Sequence, residues 1–123
     1  MATPDPITIL VCDKVILDAQ GKASLVGLFD VIWAAAFPSL HAELAVFTQV
    51  RFHEPGSTRV VLEAPDGTPL AVGDGCSAPR AGKAQAISTF TNLTLPVAGD
   101  YVVRLIGGEG TLATTTFAVR SRQ

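Results

Sequence analysis

The chain has 123 residues, of which 16% are charged and 48% are hydrophobic, and its formal net charge is −2. The nine Lys and Arg residues are scattered, so there is neither the basic face that a phosphate backbone requires nor a basic amphipathic helix for a membrane surface. The sequence therefore excludes nucleic acid and membranes as partners, and its length predicts a single domain over residues 1–123.

The N-terminus and the cysteines bear on the cellular compartment. Residues 1–6 carry an acid and two prolines where a signal peptide carries basic residues. The most apolar stretch, residues 23–37, is interrupted by Asp30 and is too short to span a bilayer. We expect a cytoplasmic protein in which Cys12 and Cys76 are reduced thiols.

The first third of the chain has the pattern of strands separated by turns. Residues 7–17 and 22–29 are rich in Ile, Val and Leu, and the intervening Asp18-Ala19-Gln20-Gly21 is typical of a hairpin turn. Residues 30–36 continue as an extended segment or cross between sheets. Phe37-Pro38 ends that segment, because proline donates no ladder hydrogen bond.

Residues 43–53 form the clearest predicted strand. Four apolar residues alternate on one face, whereas the other face is mostly polar, which is the pattern of a half-buried antiparallel strand. The apolar face comprises Leu44, Val46, Val50 and Phe52. The opposite face comprises His41, Glu43, Gln49, Arg51 and His53, together with Ala45 and Phe47.

The remainder of the chain continues the alternation of strands and turns. Strands are predicted at residues 58–64, 70–72, 84–95, 101–106 and 111–120. Pro65-Asp66-Gly67 is a strong hairpin signal. The glycine-containing segment 73–83 is predicted to be irregular, and the change of apolar parity between Ile87 and Phe90 predicts a β-bulge. Eight or nine short strands with no helical stripe predict an all-β, antiparallel two-sheet sandwich.

Two segments resemble known families. The segment LPVAGDYVVRL at residues 95–105 resembles the late-strand corner of immunoglobulin-like and fibronectin-like sandwiches, which implies that the Tyr101 hydroxyl bonds to upstream backbone. The motifs VCD (11–13), GK (21–22), LVGLFDVI (25–32) and FP (37–38) resemble a set of short bacterial proteins of unknown function. That resemblance implies a bacterial protein but supplies no site residues.

Few residues offer chemistry. His41, Glu43 and His53 share the predicted polar face but fall short of a zinc ligand set, so we predict a solvated face and no metal site. Cys76 lies in the predicted loop, and only His41 or His53 is available as a base for it, so we interpret it as an ordinary loop thiol. The sequence predicts no catalytic residue and no cofactor; a Cys76 enzyme remains an alternative.

The low charge and the apolar excess favour a non-enzymatic structural or protein-interaction domain that associates with itself or within a larger bacterial assembly. Phe47 and Trp33 are the predicted contact residues, because Phe47 interrupts a polar face and Trp33 precedes the Phe37-Pro38 break. The alternative for both is ordinary packing in the core. The alternative function is a small-ligand or carbohydrate-binding module, which is weakened by having one Trp and one Tyr.

Overall fold

The computed structural model describes residues 3–108 and 110–122 and consists of nine strands. The strands are β1 (Asp5–Leu17), β2 (Ala23–Leu28), β3 (Val31–Ala34), β4 (Ser39–Phe52), β5 (Gly56–Glu63), β6 (Pro69–Ala78), β7 (Gly82–Leu95), β8 (Gly99–Gly107) and β9 (Gly110–Ser121). Within the described ranges no helix is long and apolar enough to cross a membrane.

The strands form two sheets that pack face to face. The four-stranded sheet has the order β2-β1-β4-β7, and the five-stranded sheet has the order β3-β9-β8-β5-β6. Neighbouring strands are antiparallel, except that β3 runs parallel to β9. The predicted all-β sandwich is confirmed, and segment 30–36 does cross between the sheets.

The core lies between the two sheets and is filled by large side chains from both of them. Its most completely buried members include Leu44 and Phe52 from the four-stranded sheet and Leu62, Tyr101 and Phe117 from the five-stranded sheet. The rings of Tyr101 and Phe117 stack at a centroid distance of 5.5 Å. Apolar burial on this scale supplies the main driving force for folding.

The predicted hairpin turns are confirmed by their side-chain hydrogen bonds. The Asp18 carboxylate accepts bonds from the N–H groups of Gln20 (2.8 Å) and Lys22 (2.9 Å), which closes the β1–β2 turn. In the β5–β6 turn the Asp66 carboxylate accepts a bond of 2.9 Å from the N–H of Thr68. The following Gly67 has a φ of 88°, a conformation that glycine adopts readily.

The predicted irregular segment 73–83 is wrong, because β6 extends to Ala78 and β7 begins at Gly82. The small residues of this segment allow the two sheets to approach each other closely. A Cβ atom at Gly73 would lie 3.1 Å from side-chain atoms of Phe90 and Ser88, and the Ser88 hydroxyl donates a 2.6 Å hydrogen bond to the Asp74 carbonyl. A glycine-rich strand interior can mark such an approach rather than a loop.

Strand β4 also departs from the prediction at its beginning. It starts at Ser39 and pairs with β7 without a register shift, so the β-bulge predicted between Ile87 and Phe90 is wrong. The inward-facing residues of β7 change from even to odd positions further along the strand, at Asn92, whose φ is 51°. His41 consequently turns toward the core, where its ring lies 6.1 Å from that of Phe29.

The Tyr101 corner is confirmed. The Tyr101 hydroxyl donates a 2.7 Å hydrogen bond to the Val97 carbonyl and accepts one of 3.3 Å from the Val97 N–H. The side chain is fully buried, so the bond ties the β7–β8 turn to the core. An unpaired buried polar group costs more than the bond contributes when formed.

We expect Tyr101→Phe to lower the free energy of unfolding by about 1–3 kcal/mol, because the Val97 backbone loses both partners. Urea unfolding followed by circular dichroism measures this change. Thr114→Val removes an exposed hydroxyl and serves as the control, with an expected change within about 0.5 kcal/mol. Equal stability of Tyr101→Phe and the native protein would show that the corner contributes nothing.

Candidate functional site

Cys76 lies in strand β6, not in a loop as predicted, and its side chain is 1% exposed. Its N–H donates a 2.8 Å hydrogen bond to the Thr58 hydroxyl, and its sulfur lies 3.7 Å from the Thr48 hydroxyl. Burial raises the pKa of the thiol above its usual value. A nucleophilic cysteine requires the opposite, a lowered pKa and an exposed sulfur.

The residues considered for a metal site are not brought together. His41 turns toward the core, Glu43 is exposed, and His53 forms a 2.8 Å ion pair with Asp5. The expectation that all three share one polar face is therefore wrong. In the two described ranges no three His, Cys, Asp or Glu side chains cluster so that they could hold a metal ion.

A cleft of about 730 Å³ opens at the end of the sandwich where β4 turns into β5. Glu54, Arg59 and Asp74 supply its charged groups, and Phe52 is its one aromatic lining residue. Phe52 is 2% exposed, so the cleft presents almost no aromatic surface for stacking a sugar ring.

The two predicted contact residues lie on different sheets. Phe47 lies on the outer side of the four-stranded sheet, between its cross-strand partners Leu10 and Ile87, and is 7% exposed. Trp33 lies at the edge of the five-stranded sheet, opposite Arg120, and is 55% exposed. Trp33 thus offers contact area, whereas the ring of Phe47 is largely covered by its neighbours in the same sheet.

The structure brings together a third group of apolar residues, on the β1–β2 hairpin. β1 pairs with β4 only from Asp5 to Cys12 and with β2 from Cys12 to Leu17. The hairpin therefore diverges from β4 after Cys12. Its exposed large apolar side chains, which we call the apolar hairpin, are Ile16, Leu17, Val26 and Leu28.

The apolar hairpin was missed in the sequence because strand pairing determines which of its residues are covered. A signal was nevertheless present: Ala23–Leu28 is a strand of six residues without a charge. The outer side of the five-stranded sheet differs, since it carries Arg59, Asp74 and an ion pair between Arg104 and Glu63 at 2.8 Å.

The model of a family of unknown function, DUF6941, matches residues 7–120 of the chain. The chain belongs to this family. The match covers both sheets, so it describes the whole sandwich and not one motif. No curated protein matches this member of the DUF6941 family.

Solved structures similar to this DUF6941 member are immunoglobulin-like. An immunoglobulin-like protein from Pseudomonas aeruginosa has a TM-score of 0.51 and 15% identity over 97% of this chain and 98% of its own. The alkylpurine DNA glycosylase AlkC of Pseudomonas fluorescens, bound to DNA, has a TM-score of 0.55 and 11% identity over 98% of this chain. The chain spans 31% of the length of that glycosylase. At these identities the likeness shows the fold, an immunoglobulin-like β-sandwich.

We expect Cys76 to resist alkylation by iodoacetamide at neutral pH in the native protein and to react at the rate of free cysteine in urea. The pKa of the buried thiol is raised, so folding favours the neutral form. That contribution to stability is present below the ordinary thiol pKa of 9.0 and is lost as the pH rises above it.

The matching pH experiment is urea unfolding between about pH 7 and pH 11, a range that contains the thiol and phenol titrations. The urea midpoint should fall above the ordinary thiol pKa, and the fall should be smaller in Cys76→Ala. Burial also raises the pKa values of Cys12 and Tyr101. The urea midpoint of Cys76→Ala therefore still falls somewhat as the pH rises. Rapid native alkylation of Cys76 would contradict the buried placement.

Proposed function

We propose that this domain is a non-enzymatic protein-interaction module that associates with copies of itself, or else with a larger bacterial assembly, and uses the apolar hairpin to do so. The exposure of the apolar hairpin carries the proposal. Leu28 is 60% exposed and Leu17 is 53% exposed, although both belong to strands. Fully burying one such side chain contributes about 1.5–3 kcal/mol.

The position of the hairpin in the sheet supports a need for a partner. Beyond Cys12 it is a two-stranded ribbon, because β4 no longer pairs with β1. Isolated two-stranded hairpins are marginally stable in water, and a third strand or a packed surface is needed to stabilise them. A second chain against this hairpin would supply both the missing strand and cover for its apolar residues.

The buried thiol and the separated histidines support a binding role over catalysis. Cys76 contacts hydroxyl and carbonyl groups of Thr48, Thr58 and Ala84, none of which is a general base. General base catalysis requires a base within hydrogen-bond reach of the nucleophile. The His53 ring is instead bonded to Asp5, at the exposed start of β1.

The cleft at the β4–β5 end supports a second candidate function, the binding of a small ligand. Its volume of about 730 Å³ lies in the usual range for ligand sites. Thermal unfolding with a panel of monosaccharides and amino acids tests it, because a bound ligand raises Tm. A ligand that raises Tm of the native protein but not of Arg59→Ala would support this function, and no shift with any compound would contradict it.

We expect Val26→Lys to convert an oligomer to a monomer, whereas Val72→Lys leaves the oligomer intact. Both are exposed strand valines, with Val26 40% and Val72 62% exposed, but Val72 lies on the five-stranded sheet. Losing one buried valine costs about 1.5–3 kcal/mol per copy. The dissociation constant should therefore rise tenfold or more.

Size-exclusion chromatography with light scattering over a concentration series measures the mass. The useful range is roughly 1 μM to 1 mM, which covers weak and standard interfaces. Circular dichroism confirms that both variants fold. A native protein that remains a monomer throughout contradicts self-association, and equal effects of the two lysines contradict the role of the hairpin.

A further inference from the structure

The cleft at the β4–β5 end carries charges of both signs that are not neutralised by neighbouring side chains. Its charged lining residues are Glu54, Arg59 and Asp74. Within residues 3–108 and 110–122, none of the ion pairs involves any of these three side chains. Their charges are therefore available to a molecule that enters the cleft.

Arg59 and Asp74 lie directly opposite each other on neighbouring strands. The register pairs Arg59 of β5 with Asp74 of β6. Opposite residues of an antiparallel pair have Cβ atoms about 4.5–5.5 Å apart, and opposite charges at such positions attract each other. On the same sheet the Arg104 guanidinium does contact the Glu63 carboxylate, at 2.8 Å. Arg59 and Asp74 form no such contact, so together they can receive a ligand that bears both charges.

A β-bulge lines the same cleft and lies next to these two charges. The register of β5 with β6 shifts just before Arg59, where Thr58 alone on β5 lies opposite Gly75 and Cys76 on β6. The Cys76 N–H is bonded to the Thr58 hydroxyl, and all three bulge residues line the cleft. Bulges are frequent beside functional sites, because they redirect neighbouring side chains. The bulge is thus a second observation, independent of the charges, that indicates a site here.

We propose that the cleft binds a free α-amino acid, with the Arg59 guanidinium holding the carboxylate of the ligand and the Asp74 carboxylate holding its ammonium group. A guanidinium suits a carboxylate because it donates two parallel hydrogen bonds to it. An α-amino acid carries both charges on one carbon atom, so one small molecule satisfies both side chains. This inference rests on the second candidate function, a small-ligand site in this cleft, and names the class of ligand.

Glu54 determines which amino acids the cleft prefers. It adds a second carboxylate, so two negative charges and one positive charge among the described lining side chains give a sum of −1. Glu54 is half-buried, and charges interact more strongly where water is partly excluded. A cationic side chain on the ligand is therefore favoured and an anionic one is disfavoured. We expect L-lysine to bind more tightly than L-alanine, and L-alanine more tightly than L-glutamate.

The first test changes the ligand and leaves the protein unchanged. The ¹⁵N-labelled protein is titrated with L-alanine, N-acetyl-L-alanine and L-alaninamide up to roughly 10 mM, a range that reaches weak affinities. We expect L-alanine to shift the amide signals of Arg59 and Gly75. Each blocked form should bind about threefold or more weakly, because it lacks one of the two charges. Equal affinities for the three compounds would overturn the proposal.

The second test crosses two variants with the same three compounds. Arg59→Gln should weaken the binding of L-alanine and N-acetyl-L-alanine, which carry the carboxylate, and leave that of L-alaninamide unchanged. Asp74→Asn should weaken the binding of L-alanine and L-alaninamide, which carry the ammonium group, and leave that of N-acetyl-L-alanine unchanged. A loss of affinity that does not depend on which group is blocked would overturn the two assignments.

Arg120→Gln is the matched control for Arg59→Gln. Arg120 is an exposed arginine of β9 and does not line the cleft, so its replacement should leave all three affinities unchanged. Circular dichroism confirms that the variants fold. An equal loss of L-alanine affinity in Arg120→Gln and Arg59→Gln would show that the ligand responds only to the net charge of the protein, and would contradict binding at Arg59.

Glu54→Gln tests the preference among amino acids. The ratio of the L-lysine affinity to the L-glutamate affinity should fall about threefold or more, because the carboxylate that distinguishes the two ligand side chains is removed. The affinity for L-alanine, whose side chain is uncharged, should change less than either. An unchanged ratio would contradict the role of Glu54.

The outcomes separate this inference from the candidate function on which it rests. A rise in Tm with a monosaccharide, together with no response to any amino acid, overturns the amino acid as ligand and leaves the cleft as a small-ligand site. No response to any compound overturns both. The proposed role of the apolar hairpin is tested separately, by the oligomeric state.

Discussion

The contact between the inner faces of the two sheets is the constraint on which the other features depend. Leu44, Val46, Val50 and Phe52 of β4 point into the shared core. Because side chains alternate along a strand, burying these residues turns Ala45 and Phe47 outward. The register of β4 with β1 then determines which residues of β1, and in turn of β2, face away from the core.

The divergence of the β1–β2 hairpin from β4 explains why a well-packed sandwich still exposes large apolar side chains. Up to Cys12, β1 lies beside β4. Beyond Cys12 its ladder hydrogen bonds within residues 3–108 and 110–122 go to β2, so the hairpin has only part of the sheet to cover it. Four of the ten large apolar side chains that the described residues expose therefore lie on this hairpin. A surface of this kind is typical of interaction sites.

The thiol and imidazole side chains, in contrast, are dispersed over the fold. Cys76, on β6, is enclosed by hydroxyl and carbonyl groups of β4, β5 and β7. His53 pairs with Asp5 near the surface, and His41 lies beside the ring of Phe29. A buried thiol with a raised pKa contributes to stability and not to nucleophilic chemistry. The binding role proposed above rests in part on this arrangement.

By itself the sequence determined the fold class, the turns and the tyrosine corner, because these depend on local chemistry: alternation in β4, the Asp18 and Asp66 caps, and Gly-Asp before Tyr101. Tertiary structure alone decided that residues 73–78 form a strand, that His41 turns inward and that the β1–β2 hairpin is left uncovered. In each of these cases the outcome depends on which distant strand lies alongside: β7 approaches Gly73, Phe29 approaches His41, and β4 ends its pairing with β1 at Cys12. Local periodicity does not encode such neighbours, since a strand pattern specifies its faces but not its partners.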